Sequence, residues 1–326
     1  MELVGCAHLG ALLAQAYWLL AIGVTLVAAC WTPAADLSRY GKLRGQSAAG
    51  EGKKGHKGFV QRTRAWMVPK RYFAHFYAVC WRWAVMLTVA TYSRWDAVVQ
   101  QWAEGLISDQ GVLREFTGLA VCASDWHPPV VTGWQRSTTM LVLLALQGLR
   151  RVHEEDRLFR PNPNAQMHIF GYIIGITFYL AFGWSIVVES SLYRPVDEFY
   201  DADSEVWNPV FWLGVALFAL GMYEQHQTHR ILAGLRPTES TAASGCSVYR
   251  VPQGRLFALV SCPHYFLEML IYLGFALMDS VNLSLWLAFV FVCLNLGLTA
   301  LRSHAWYKAK FDDYPAERKA VVPFIL

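Results

Sequence analysis

Four clusters of polar residues interrupt an otherwise apolar chain of 326 residues. The first, Gln147-Gly-Leu-Arg-Arg-Val-His-Glu154, closes a hydrophobic run. Gln147, Arg151 and Glu154 stand at i, i+4 and i+7, so one helical face carries an amide, a guanidinium and a carboxylate. Such a trio can orient a substrate or handle a proton, whereas Arg150 taken alone reads as a snorkelling residue at a membrane surface. The second cluster, Tyr223-Glu-Gln-His-Gln-Thr-His-Arg230, places His226 and His229 on one face and is followed by Arg236. Paired histidines serve membrane di-iron enzymes, but those need several such boxes. The chain has no second His-x-x-His and no His-Glu-x-x-His. A polar cavity lining is therefore expected, and no metal.

The third cluster runs from Tyr249-Arg-Val-Pro-Gln-Gly254 into Ser261-Cys-Pro-His-Tyr-Phe-Leu-Glu268. Pro252 and Gly254 predict a turn before a span. His264 and Glu268 then fall at i, i+4 inside it, either as a mutually satisfied pair or as the wall of a cavity. The fourth, Arg302-Ser-His-Ala-Trp-Tyr-Lys-Ala-Lys310 and the segment to Leu326, alternates aromatic and basic residues and closes on Val321-Val-Pro-Phe-Ile-Leu326. That pattern predicts a folded tail docked on the bundle.

The elements that must carry these groups are membrane helices. Hydrophobic residues make up 55% of the chain and charged residues 16%, with mean hydropathy +0.28; soluble domains carry roughly 25% charge. Seven spans are predicted, over about 9–31, 74–93, 133–150, 167–189, 207–225, 256–277 and 282–303, from apolar runs near the length that crosses a bilayer. The fold class expected is an all-α polytopic bundle, a single integral membrane domain over 1–326 with a Gly/Lys-rich cytoplasmic linker at 45–58. Met1 to Gly5 lacks a basic n-region, and the first apolar run is too long for a cleavable signal.

Charge alternates along the connections. Ten basic residues separate the first two spans, and basic groups recur after the third and fifth spans and in the tail. The connection after the fourth span carries Asp197, Glu198, Asp201, Asp203 and Glu205 instead. The positive-inside rule then places the N-terminus in the lumen and the tail in the cytoplasm, with an odd number of spans. A net charge of +4 without a basic stripe argues against nucleic acid. Seven scattered cysteines, none in Cys-x-x-Cys spacing, argue against a disulfide framework or zinc. The sequon Asn282-Leu-Ser284 abuts a span and is expected to be unused.

Three of these stretches carry a resemblance. Tyr249-Arg-Val-Pro-Gln-Gly254, Ser303-His-Ala-Trp-Tyr-Lys-Ala-Lys-Phe-Asp-Asp-Tyr-Pro315 and Arg318-Lys-Ala-Val-Val-Pro-Phe324 resemble the C-terminal NADPH-binding half of the steroid 5α-reductase family, over 195–326. Arg39-Tyr-Gly-Lys42, Val68-Pro-Lys-Arg-Tyr-Phe-Ala-His-Phe-Tyr77 and Gln147-Gly-Leu-Arg-Arg151 are similar to its polyprenol-reductase branch. Gln225, His229 and His264 stand where steroid reductases usually have Asn, Asp and Asn, and this too resembles the polyprenol branch.

The resemblance implies NADPH held in a polar cavity between helices on the cytoplasmic side of the endoplasmic reticulum membrane. The cofactor residues it implies are Arg151, Gln225, His229, Arg236, Tyr249, Arg250, Gly254, His264, Glu268, Tyr307 and Arg318. It further implies a long-chain polyprenoid substrate whose α-isoprene unit is saturated to give the dolichol series; no protein partner follows from it. An isolated allylic alcohol accepts hydride poorly and a conjugated aldehyde accepts it well if donors hold its oxygen, so polyprenal fits the chemistry better than polyprenol. The steroid reductases' acid and tyrosine have no clean match here. His75 and Tyr77 occupy one of those regions and Gln147, Arg151 and Glu154 the other, while His304 lies in the longest motif; His75, Tyr77, Gln147, Glu154 and His304 are the candidate catalytic residues. The rival readings are a steroid or enoyl-thioester reductase, an isoprenylcysteine methyltransferase-like enzyme, and a transporter. No inverted repeat supports the last.

Overall fold

The computed structural model describes residues 3–30, 66–92, 133–159, 165–190, 208–235 and 249–326. Seven long helices dominate it: α1 (Leu3–Cys30), α2 (Phe73–Tyr92), α3 (Gly133–His153), α4 (Ile169–Ser190), α5 (Pro209–Gly234), α6 (Pro263–Met278) and α7 (Leu283–Lys310). Two three-residue strands, β1 (Met67–Pro69) and β2 (Gln166–His168), pair antiparallel and bring the starts of α2 and α4 together. The linker at 45–58, Arg236 and the acidic connection after α4 lie outside the described residues.

The helices alternate in direction. Gln15 of α1 bonds Glu189 at the end of α4, while Tyr17 bonds Thr177 more than two turns earlier in α4, so α1 and α4 run antiparallel. α2, α4 and α6 start at one end of the bundle, where α3, α5 and α7 finish. The described chain therefore enters at the far end and finishes at this one, as an odd number of crossings requires.

Among the described residues, four helical segments are long and apolar enough to cross a bilayer: Leu9–Cys30, Lys70–Thr91, Ile169–Glu189 and Leu283–Lys310. α3 and α5 fall short of that standard because they carry the amide, guanidinium and imidazole groups of the first two clusters. α6 is apolar but has only 16 residues. It starts later than the sequence predicts, at Pro263, because the residues before it form a 3-10 turn (Arg255–Ala258) and then pair with the tail. Proline at the first helical position has no N–H to lose and the right φ. α5 in turn extends to Gly234, past the predicted end of its span, and carries both histidines of the second cluster.

Aromatic side chains fill the centre. Trp18, Phe182 and Phe275 are fully buried, with Phe182 and Tyr272 ring centres 4.9 Å apart, edge to face. Leu12, Leu13, Leu19 and Leu20 of α1 face outward, as a lipid-facing helix requires. α5 and α6 approach most closely at Gly214 and Gly274, where a Cβ on Gly274 would sit 2.6 Å from the Gly214 carbonyl oxygen. Small residues let membrane helices meet backbone to backbone.

The far end is sealed by polar groups. Buried Glu189 accepts hydrogen bonds from Gln15 Nε2 at 2.6 Å, Ser284 Oγ at 2.7 Å and the Ser284 amide at 3.0 Å, satisfying the start of α7. Asn282 caps the same helix by accepting from the Leu285 amide, and donates to the Ser185 carbonyl and Asp279. At 1% exposure with both side-chain polar atoms engaged, this sequon asparagine is closed to a glycan in the folded chain.

The tail is docked, as its pattern predicts. Lys319 donates to the Leu259 carbonyl at 2.9 Å, and the Ser261 and Cys262 amides donate to the carbonyls of Lys319 and Ala320. The Gly214–Gly274 crossing yields a direct test. Gly274→Ala should cost about 1–3 kcal/mol and lower the thermal midpoint in detergent by several degrees. Gly234→Ala, with nothing within 4 Å of the added Cβ, should leave the midpoint unchanged or slightly raised.

Candidate active site

Where α2 starts and α3 and α5 end, the first three polar clusters converge. Glu154 is at the centre and fully buried. It lies in a wide π turn, Glu154–Leu158, that continues α3 and is closed by the Phe159 amide donating to the Glu154 carbonyl at 2.8 Å. Single π turns inside helices often mark functional positions. One carboxylate oxygen accepts from Arg150 at 2.7 Å and His226 Nδ1 at 2.7 Å. The other accepts from Arg151 and from His229 Nδ1, the latter at 2.7 Å. Four donors from two helices thus fill the acceptor sites of one carboxylate.

The arginines extend the network in opposite directions. Arg150 donates to Gln147 Oε1 at 2.9 Å and to Gln225 Oε1, and Gln225 Nε2 donates to Glu268 and to the His264 carbonyl on α6. Arg150 is therefore not a snorkelling surface residue; its stem turns inward and ties α3 to α5. Arg151 donates to the Tyr77 hydroxyl at 2.7 Å and stacks over the Tyr77 ring at 4.5 Å. Gln147, Arg151, Glu154, Gln225, His229, His264, Glu268 and Tyr77 are thereby gathered. His264 and Glu268 are each tied to Gln225 of α5, so the i, i+4 pair expected within α6 is bridged from a neighbouring helix. The two histidines converge on Glu154, and this carboxylate is what their shared face serves.

Other candidates lie elsewhere. His75 is exposed, stacked on Tyr72 and hydrogen-bonded to Tyr172 at 3.0 Å. His304 belongs to a second network under the docked tail, where Ser261 Oγ lies 2.6 Å from both His304 Nδ1 and the Tyr314 hydroxyl. Tyr307 stacks on Tyr314, and Tyr249 packs edge-on against Trp306. Gly254 takes φ +87°, a conformation that favours glycine, beside the exposed Arg250. Arg318 is 4% exposed and donates to the Pro252 carbonyl and Gln253 Oε1. Sequence reading placed His226 beside His229 on a polar face but gave it no individual site role, and gave none to Ser261 or Tyr314; their partners come from other helices or from the tail. A groove of about 740 Å³ opens beside the end of α3, between Arg71, Leu149, His153, Asp156 and Phe159, and the network residues do not line it.

The donor set suits a nucleotide cofactor. Arg318 is buried with its charge met by neutral oxygens, and its Nε has no hydrogen-bond partner among the described residues. A buried guanidinium without a carboxylate fits an anionic group such as a phosphate. Among the described residues the buried Gln147 Nε2 is likewise without a hydrogen-bond partner, which suits it to an acceptor on a bound molecule.

Glu154 and His229 lie beyond the apolar stretches of their helices. Burial alone would raise the Glu154 carboxyl, but the hydrogen bond from His229 and the charges of Arg151 and Arg150 outweigh it and hold the group below the usual carboxylate range. Burial and the neighbouring Arg151 push His229 down to about 3, so the imidazole is neutral. Both groups are more acidic folded than unfolded, so both stabilise the fold at neutral pH and lose that contribution as pH falls. For His229 the loss runs from about 6.5, the unfolded value, down through about 3. The thermal midpoint in detergent should fall over this window, and His229→Gln should flatten the slope there. An unchanged slope would contradict this assignment.

A family model described as 3-oxo-5-alpha-steroid 4-dehydrogenase matches residues 165–326. Over nearly its whole length the chain is similar to Polyprenal reductase 2 of Arabidopsis thaliana, with 29% identity covering 94% of this chain and 95% of the relative. It is 32% identical to Polyprenal reductase of Xenopus tropicalis, covering 89% of this chain and 87% of that one. It is 31% identical to the Homo sapiens protein of the same name, covering 89% and 85%. With the helical bundle and its polar interior, these matches establish that the chain belongs to the steroid 5α-reductase family, in its polyprenal-reductase branch.

Proposed function

We propose that the chain is an NADPH-dependent polyprenal reductase of the endoplasmic reticulum membrane that saturates the α-isoprene unit of long-chain polyprenoids on the way to dolichol. The observation that carries the chemistry is the Arg151–Tyr77 contact. Because Arg151 donates to the Tyr77 oxygen, the phenol hydrogen is left to point at an acceptor, and the guanidinium makes it a stronger donor. A conjugated aldehyde oxygen is such an acceptor. As hydride reaches the β-carbon, electron density moves to that oxygen, and a donor already in place stabilises the enolate.

When bound, the reduced nicotinamide supplies the hydride. Arg318 and Arg250, with Arg236 beyond the described residues, are the groups suited to its phosphates. Tyr249, Tyr307 and the Gly254 turn border that surface, and Gln147, Gln225, His229, His264 and Glu268 form the inner polar wall. The alternating connection charges support a cytoplasmic network end and tail and a lumenal N-terminus. That arrangement exposes the cofactor side to the cytoplasm and leaves the isoprenoid tail to the surrounding lipid.

Purified protein should oxidise NADPH with a long-chain polyprenal and not with a 3-oxo-4-ene steroid; the reverse preference would overturn the substrate assignment. Tyr77→Phe should lower kcat by about 10²–10³-fold and leave the NADPH dissociation constant within about twofold. A full-rate Tyr77→Phe enzyme would remove Tyr77 from the mechanism.

A further inference from the structure

Saturation of a carbon–carbon double bond consumes one proton along with each hydride. The hydride brings an electron pair to the β-carbon, the π bond breaks, and the α-carbon takes a proton that must originate in water. The Glu154 network is buried, so that proton needs a path inward.

His226, Glu154 and His229 lie in line for this. His226 has a side chain 34% exposed, Glu154 has none exposed, and His229 has 6%. The Nδ1 atoms of both histidines are 2.7 Å from the carboxylate, one on each oxygen. His229 Nδ1 is also 2.9 Å from Arg151 Nη1. It can therefore donate to Glu154 in one tautomer or accept from Arg151 in the other without moving. Arg151 and Arg150 of α3 face this row, with Glu155 3.5 Å from Arg151. From α6, the His264 ring lies 6.1 Å from His229 and Glu268 is held by Gln225.

We propose that His226, Glu154 and His229 form a proton inlet, with His226 as its solvent-facing mouth; the proposal rests on the reductase reading above. A proton from water enters at His226 Nε2 while the Nδ1 proton passes to Glu154. Starting from the tautomer whose bare Nδ1 accepts from Arg151, His229 takes a proton from Glu154 at Nδ1 and releases its Nε2 proton on the site side. One proton enters and one leaves, every group regains its charge, and each imidazole ends in the opposite tautomer, which exchange of the ring protons, with water at His226 and with the site at His229, resets. His229 is neutral at physiological pH, as a group that passes a proton without storing charge requires. Tyr77, bonded to the other terminal nitrogen of Arg151, adjoins the delivery end.

The test is His226→Gln, which keeps a donor toward Glu154 but cannot pass a proton between two ring nitrogens. With polyprenal and NADPH, kcat should fall at least about tenfold while both KM values stay within about twofold; the solvent deuterium isotope effect on kcat should rise, and added 4-methylimidazole should restore rate. Without cofactor or substrate, ¹⁵N-histidine NMR of the intact protein should show a hydrogen-bonded Nδ1 proton for His226 and exchange between the Nδ1 and Nε2 tautomers for His229, both lost in Glu154→Gln. Wild-type kcat and isotope effect in His226→Gln would overturn the inlet. So would a lowered kcat that 4-methylimidazole does not restore, or loss of the folded protein in His226→Gln with those NMR signals absent from wild type. Absence of polyprenal-dependent NADPH oxidation in the wild type would instead sink the reductase reading, and the inlet with it.

Discussion

A carboxylate removed from water must find charge and hydrogen bonds inside the protein, and Glu154 finds both on two helices. Burying an ion in a bundle is costly, and an incompletely paired one costs several kcal/mol. That cost fixes much of what surrounds it. α3 must present Arg150 and Arg151 on the same turn, α5 must extend far enough to present His226 and His229, and the π turn must carry Glu154 inward. The helices that meet this demand, α3 and α5, are too polar to count as simple apolar spans. The apolar helices α1, α2, α4 and α7 supply most of the lipid-facing surface.

The two ends of the bundle solve different problems with similar groups. At the far end, Glu189 accepts from Gln15 and Ser284, and its role is to finish a helix start and close the bundle. At the network end, the groups are titratable, connected to the surface through His226, and adjoined by donors of Gln147 and Arg318 that have no partner among the described residues. The docked tail belongs to this second end. Its backbone pairing with residues 259–262 holds Arg318 against the Pro252–Gly254 turn and places Tyr314 against Ser261. The surface proposed for the cofactor thus draws on segments far apart in sequence.

Much of this was legible in the residues. Apolar runs give all seven helices, and the i, i+4, i+7 spacing of Gln147, Arg151 and Glu154 identifies a polar face that is indeed turned inward. The aromatic and basic tail reads as folded, and it is. What spacing cannot give is the partner across a helix interface. Arg150 sits one residue from Arg151 and looks like a surface residue until Gln225 appears opposite it. His75 and Tyr77 are two positions apart, so about 200° apart around a helix, and only Tyr77 can face the network. The start of α6 lies at Pro263 because the preceding residues pair with a tail some sixty positions later, a long-range contact with no local signature.

The central claim is that Arg151, by holding Tyr77, Glu154 and His229 at once, organises the reactive site. Arg151→Lys keeps the positive charge but cannot reach three partners from a planar fork. Turnover of polyprenal by this variant, measured beside its thermal midpoint and NADPH affinity, tests the claim most directly. The account predicts a kcat lower by about 10²–10³-fold in a folded protein that still binds NADPH. Wild-type turnover by Arg151→Lys would contradict it.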